Sequence, residues 1–239
     1  MIFDQAEYDL RLEWGHAGVT TLAPVSEVLI VVDVLVFSTA VDVALGRGAS
    51  VLPYRWRDSS AEAFAKSKGA LLASHRSAGG YTLSPPSLQS IPAGAVLVLP
   101  SPNGSTLCAM SGVATTFTAC LRNCRAVAAA ACARGSRIAV VPAGEQWADG
   151  TLRPAIEDLI GAGAVLANLP GRPSPEAETA IAAFERCAHS LPEALARSGS
   201  GKELAARGFS RDVEFAAECA VSAVAPIMLV DRFVDAMPG

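Results

Sequence analysis

The chain predicts a layered α/β/α fold with a largely parallel or mixed sheet and a helix-rich C-terminal third. Short apolar runs recur at residues 28–32, 49–53, 70–73, 95–99, 115–118 and 138–141, each of strand length. Helical stretches separate most of them, and such alternation marks a sheet that is at least partly parallel. Beyond residue 169 the segment GRPSPEA breaks this rhythm, and helical patterns follow at 176–190, 191–197 and 212–223.

Each element has a local reason. The run VLIVV at 28–32 is apolar throughout and leads into Asp33; STAVDVAL at 38–45 then reads as a helix ended by Gly46 and Gly48. The run at 95–99 is followed by Ser-Pro-Asn-Gly-Ser at 101–105, a turn signal. Residues 121–133 form an alanine-rich helix closed by Gly135. After the run 138–141 and Pro142 the chain turns polar, presenting Glu145, Asp149 and Gly150, and Pro154 sits where the first turn of a helix tolerates it. That helix is expected to carry Arg153, Glu157 and Asp158, with Arg153 and Glu157 four residues apart on one face. Ser174 followed by Pro175 and Glu176 starts the next helix.

The chain has 239 residues, 51% of them hydrophobic and 18% charged, enough for a sizeable core in one domain or two intimately packed lobes. A net charge of -4 with no basic stripe argues against a nucleic-acid partner. The mean hydropathy is +0.35, yet Glu27 and Asp33 bound the richest apolar run, and no stretch approaches the roughly 18 apolar residues that span a bilayer. The acidic N-terminal segment lacks a secretory signal's positive region, so a cytoplasmic location is expected. The 6 cysteines then read as reduced, and Cys120 and Cys124 find no partners for a zinc site. With 3 scattered histidines, neither a Ser-His-Asp nor a Cys-His arrangement has support. Gly199, Gly201 and Lys202 imitate the end of a phosphate-binding loop, but Ala196 and Glu203 break the motif, and no dinucleotide fingerprint follows the first strand. A high apolar fraction with few charges makes a homodimer the expected assembly.

Acids at strand ends stand out. Asp33, with Ser38 and Thr39 just beyond it, and Glu145, Glu157 and Asp158 follow apolar runs, where open α/β sheets bind ligands. Such a cluster suits a hard cation and an anionic substrate. The turn at 101–105, with Ser101, Asn103, Gly104 and Ser105, offers backbone N–H groups that could cradle a phosphate. Arg76, Arg122 and Arg153 are the basic residues near element ends, and an arginine fork meets phosphate or sulfonate bidentately. Against this, Arg153 with Glu157 reads equally as a surface ion pair, Asp149 as a helix cap and residues 101–105 as a plain turn.

The segments VVDVLVFSTAVDVAL, LPSPNGS and PAGEQWADGTLRPAIEDLIGAGA resemble the motifs of the 2-phosphosulfolactate phosphatases. The likeness runs from Trp14 and Gly15 to the block SGKELAARGFSRDV, a block with no evident physical role in the sequence. It implies a magnesium-dependent hydrolase that removes phosphate from 2-phospho-3-sulfolactate, a step towards coenzyme M. On that reading Asp33 and Arg153 are catalytic, and Asp33, Glu145, Glu157 and Asp158 serve Mg²⁺. Ser38, Thr39, Arg76, Ser101, Asn103, Gly104 and Ser105 would contact substrate. Val36 departs from the pattern, standing where the family often has Arg. The competing reading is a catalytically silent protein that binds a phosphorylated or sulfonated metabolite.

Overall fold

The computed structural model describes residues 2–56, 58–74, 79–112 and 114–237. Its strands are β1 (Leu10–Leu12), β2 (Val28–Val32), β3 (Ser50–Tyr54), β4 (Leu71–Leu72), β5 (Val96–Pro100), β6 (Thr115–Ala119), β7 (Ile138–Pro142), β8 (Glu145–Gln146), β9 (Leu152–Arg153), β10 (Pro226–Leu229) and β11 (Arg232–Asp235). The α-helices are α1 (Gly15–Leu22), α2 (Phe37–Gly46), α3 (Ser59–Lys68), α4 (Gly104–Ala109), α5 (Cys124–Cys132), α6 (Ile156–Leu166), α7 (Pro175–Cys187), α8 (Leu191–Arg197), α9 (Gly199–Ala206) and α10 (Ser210–Ala216). The α/β layers and the mixed, largely parallel sheet agree with the sequence reading.

Among the described residues the main sheet has 9 strands in the order β1-β7-β2-β6-β10-β11-β3-β5-β4. Two parallel blocks, β1-β7-β2-β6 and β3-β5-β4, are joined through the antiparallel hairpin β10–β11. The blocks therefore run in opposite senses. In a flat sheet, β2 and β5 would also lie five strand spacings apart, about 24 Å. Yet the Asp33 side chain, just past β2, accepts a hydrogen bond from Gly104 N, just past β5, at 3.1 Å. The sheet must curl across the hairpin to allow this contact, and the curl builds the site.

Burial of both faces explains the strand composition. Along β2, Val28, Ile30 and Val32 pack with α5, α6 and α7, whereas Leu29 and Val31 pack towards α1 and α2. A strand covered on both sides has no use for polar alternation. The second of these clusters also takes Val51 from β3 and Leu97 and Leu99 from β5, so the two blocks share one core. Gly161 lets α6 lie against β2: a Cβ there would sit 2.5 Å from Val34 Cγ2 and 3.0 Å from Val32 Cγ1. This close approach carries Glu157 and Asp158 to the end of β2. Ser174 caps α7 by accepting from Ala177 N at 3.2 Å, with Pro175 at its first position.

Three expectations change. The helix expected at 212–223 stops at Ala216, and the chain returns to the sheet as β10 and β11; PIML and RFVD are only 4 residues each, too short to declare a period. The first strand, β1, was not foreseen and is a 3-residue element beside β7. Residues 199–206, given no element between the helices expected at 191–197 and 212–223, form α9, whose start is capped by Ser198 accepting from Gly201 N at 3.0 Å. All 6 cysteines are free thiols.

Candidate active site

Asp33 is fixed by backbone. Its carboxylate accepts from Phe37 N at 3.2 Å and Gly104 N at 3.1 Å, and it is 6% exposed. Gly104 is the residue that permits this: a Cβ would lie 2.3 Å from Phe37 Cδ1 and 2.9 Å from Asp33 Oδ2. The amide expected to cradle phosphate thus holds an acid instead. Ser38 and Thr39, expected at the substrate, are fully buried behind this acid. Ser38 Oγ accepts from Asp33 N at 2.9 Å and hydrogen-bonds Thr118 Oγ1 at 2.6 Å, while Thr39 Oγ1 donates to Val34 O at 2.8 Å. Both hydroxyls brace the turn after β2. Ser105 likewise faces inward and donates to Leu99 O at 3.3 Å.

Glu145 and Arg153 meet through a hairpin. Arg153 was expected on a helix, in an i,i+4 pair with Glu157; instead it lies in β9, directly across from Glu145 in β8. Pro154 is the cause, because the residue before a proline is driven away from helical backbone. The helix starts two residues later, at Ile156, and among the described residues no ion pair joins Arg153 to Glu157. The Arg153 Nη2 donates to Ser200 Oγ at 3.1 Å. Glu145 Oε2 accepts from Asn103 Nδ2 at 2.9 Å, linking the turn after β5 to the hairpin.

In the first turn of α6, Glu157 and Asp158 are 2% and 3% exposed. Asp158 accepts from Val34 N at 2.8 Å and Gly144 N at 2.9 Å, tying β2 to the segment after β7. Glu157 Oε2 is buried without a hydrogen-bond partner. An orphaned carboxylate oxygen is costly unless something positive meets it. Burial, and after it the charge of Asp33, pushes the Glu145 carboxyl up to about 7. Burial first, then Asp33 and Glu157, also raises the Asp158 pKa well above the usual carboxylate range.

Asp33 and Glu145 line a cleft of about 770 Å³ whose wall also includes Val36, Ser101, Asn103 and Ser200. Its other acids are Asp58, Glu62 and Glu203, and its cation among the described residues is Arg207. Glu157, Asp158 and Arg153 are not among its lining residues. Arg76 lies outside the described residues. No three His, Cys, Asp or Glu side chains converge into a metal cage among the described residues.

A family model described as 2-phosphosulpholactate phosphatase matches residues 19–230. The chain belongs to this family. The 2-phosphosulfolactate phosphatase of Methanothermobacter thermautotrophicus is 32% identical to it over 208 residues, covering 84% of this chain and 87% of the relative. The family's activity class is hydrolysis of a phosphoric monoester.

The block SGKELAARGFSRDV now acquires a physical role. Ser200, Glu203, Leu204 and Arg207 form one wall of the cleft. Ser200 receives the Arg153 hydrogen bond, and Gly199 leaves room for the guanidinium, since a Cβ there would lie 3.1 Å from Arg153 Nη1. Ser200, Glu203 and Arg207 were missed as site residues because two glycines disguise the helix that presents them. Val36 faces the cleft from the start of α2 and is 4% exposed, so the position where the resemblance leads one to expect an arginine presents an apolar side chain. Arg122, the other cation near an element end, is a structural residue that pairs with Asp42 and Glu218.

Proposed function

We propose that this chain is a magnesium-dependent phosphatase of a small, multiply anionic phosphomonoester, with 2-phospho-3-sulfolactate as substrate and 3-sulfolactate and phosphate as products. It would act in the cytoplasm as a homodimer. The observation that carries the reading is the close group Asp33, Glu145, Glu157 and Asp158, of which Asp33 and Glu145 line an acid-rich cleft. A dianionic phosphoryl group entering such a cleft needs a divalent cation.

The residues suit Mg²⁺. It takes hard oxygen ligands, usually one or two carboxylates with water and substrate phosphate, so a three-residue cage is not required. Glu157, whose Oε2 has no hydrogen-bond partner, and Asp33 on the cleft wall are the residues that would hold it; Asp158, tied to the Val34 and Gly144 amides and off the cleft wall, supports them from behind. When bound, the ion supplies neutralisation of the phosphoryl charge.

The chain's own groups provide proton handling and orientation. Glu145, with its proton affinity near neutrality, is available in both forms at pH 7. It takes a proton from the attacking water and returns one to the leaving alkoxide oxygen as the P–O bond breaks. Asn103 fixes which Glu145 oxygen is free by donating to the other. The Phe37 and Gly104 amides hold the Asp33 carboxyl group in place. Arg153, across the hairpin, favours the ionised form of Glu145.

Release of inorganic phosphate from a panel of phosphomonoesters, with Mg²⁺ titrated into chelator-treated protein, tests the reading. Metal-dependent turnover of the doubly acidic esters is expected. Tight binding of the same esters without release at any metal concentration would instead establish the silent binding protein.

A further inference from the structure

A second cavity, of about 350 Å³, backs onto the cleft. The two share Pro102, Asn103, Glu145 and Gln146, so the hydrogen-bonded pair Asn103 and Glu145 borders both. Their chemistry differs. Among the described residues the cleft has five acids and one arginine. The smaller cavity has Arg55, His16 and the Thr106 hydroxyl, and its one acid is the shared Glu145. The Arg55 guanidinium carbon lies over the Trp56 ring, 4.3 Å from its centroid, and Arg55 enters no ion pair among the described residues. An arginine resting on an aromatic face keeps its N–H groups for an incoming oxyanion.

We propose that this smaller cavity is the subsite for the non-transferred acidic group of the substrate, a carboxylate or sulfonate gripped by the Arg55 fork. This rests on the phosphomonoesterase reading. The phosphoryl group would lie on the cleft side and the second anion on the Arg55 side, so that the bridging oxygen passes beside Glu145. A monoester without a second acid would leave Arg55 unused, and the site would discriminate against it. Bidentate pairing of guanidinium with a planar carboxylate, or with two oxygens of a sulfonate, supplies that selectivity.

The test uses isethionate and lactate as unphosphorylated probes. Each is titrated into protein with ¹⁵N-labelled tryptophan, following the Trp56 indole resonance assigned through Trp56→Phe. A saturable Trp56 shift is expected in the wild type, with at least a tenfold weaker Kd in Arg55→Ala and an intermediate value in Arg55→Lys. A shift with isethionate alone assigns the subsite to sulfonate; with lactate alone, to carboxylate. No saturable shift in the wild type, or one that Arg55→Ala leaves unchanged, overturns the proposal. In parallel, the ratio of kcat/KM for 2-phospholactate to that for glycerol 2-phosphate is expected to fall at least tenfold in Arg55→Ala, through KM. If no ester is hydrolysed while the Arg55-dependent shift persists, the subsite stands and the phosphatase reading fails.

Discussion

Residues 32–34 and 41–43 both read Val-Asp-Val, yet the two aspartates are treated in opposite ways. Asp42, inside α2, is 2% exposed and has a cation: Arg122 Nε lies 3.0 Å from Oδ2, and Ser222 donates to Oδ1 at 2.6 Å. Asp33, before α2, is 6% exposed and sits among Glu145, Glu157 and Asp158. The first site neutralises its acid and joins α2 to the segment before β10. The second gathers four carboxyl groups at one point of the fold, with amides holding Asp33 and Asp158 in place. A fold spends stability on such a concentration when a ligand is to complete it.

The largest expected difference between the sites is in catalysis. Glu145→Gln removes the proton carrier at nearly constant volume and should lower kcat by about 10²–10⁴-fold, the usual range for a general acid or base. Asp42→Asn should leave kcat within a few-fold. In steady-state assays, equal losses in the two variants would abolish the distinction drawn here.

Stability should move the other way. Asp42→Asn strips Arg122 of its buried partner and should cost about 3 kcal/mol, the low end for breaking a buried pair because Glu218 remains. Glu157→Gln in metal-free protein replaces a carboxyl oxygen that is buried without a hydrogen-bond partner by a neutral group and should gain about 1–2 kcal/mol. Urea denaturation of both variants in chelator measures the contrast; a loss in Glu157→Gln would mean that its orphaned oxygen has a partner.

A smaller effect concerns pH. The folded-state pKa of Glu145 is raised from 4.5 to about 7, so between these values the folded chain holds more proton than the unfolded one. Its contribution to stability is therefore present at low pH and declines as pH rises through this window, by at most about 3 kcal/mol. Asp158 and Asp42 are shifted in the same direction and steepen the trend. Glu145→Gln should make the decline shallower in metal-free protein. A stability profile that rises from pH 5 to 7 would contradict the raised Glu145 carboxyl.

The same contrast shows what was legible in the chain. Strand ends were readable because both faces of β2, β5 and β7 are covered, leaving continuous apolar runs, and the acids or turns that follow them converge on one cleft. Which side a residue faces was not readable. Ser38 and Thr39 adjoin Asp33 in sequence, but helix α2 turns their hydroxyls back to Thr118 and Val34. The curl that brings Gly104 to Asp33 depends on β10 and β11, two short strands more than a hundred residues beyond Gly104. Asp33 and Asp42 look alike because the partner that separates them, Arg122, is 80 residues from Asp42.

The smallest effect expected is at Arg153, and it decides whether this residue belongs with the acids as chemistry or with Arg122 as structure. Its Nη2 is committed to Ser200, its guanidinium carbon lies 5.8 Å from the Trp147 ring centroid, and it does not line the cleft. Arg153→Lys keeps a positive charge across from Glu145 while losing the planar fork. If the residue only steadies the hairpin and its neighbour, kcat/KM should fall by no more than about fivefold and stability by about 1 kcal/mol or less, the scale of a partly exposed pair. A hundredfold loss in kcat with unchanged stability would place the guanidinium on the substrate, and the cleft would then need to open towards β9 before it can act.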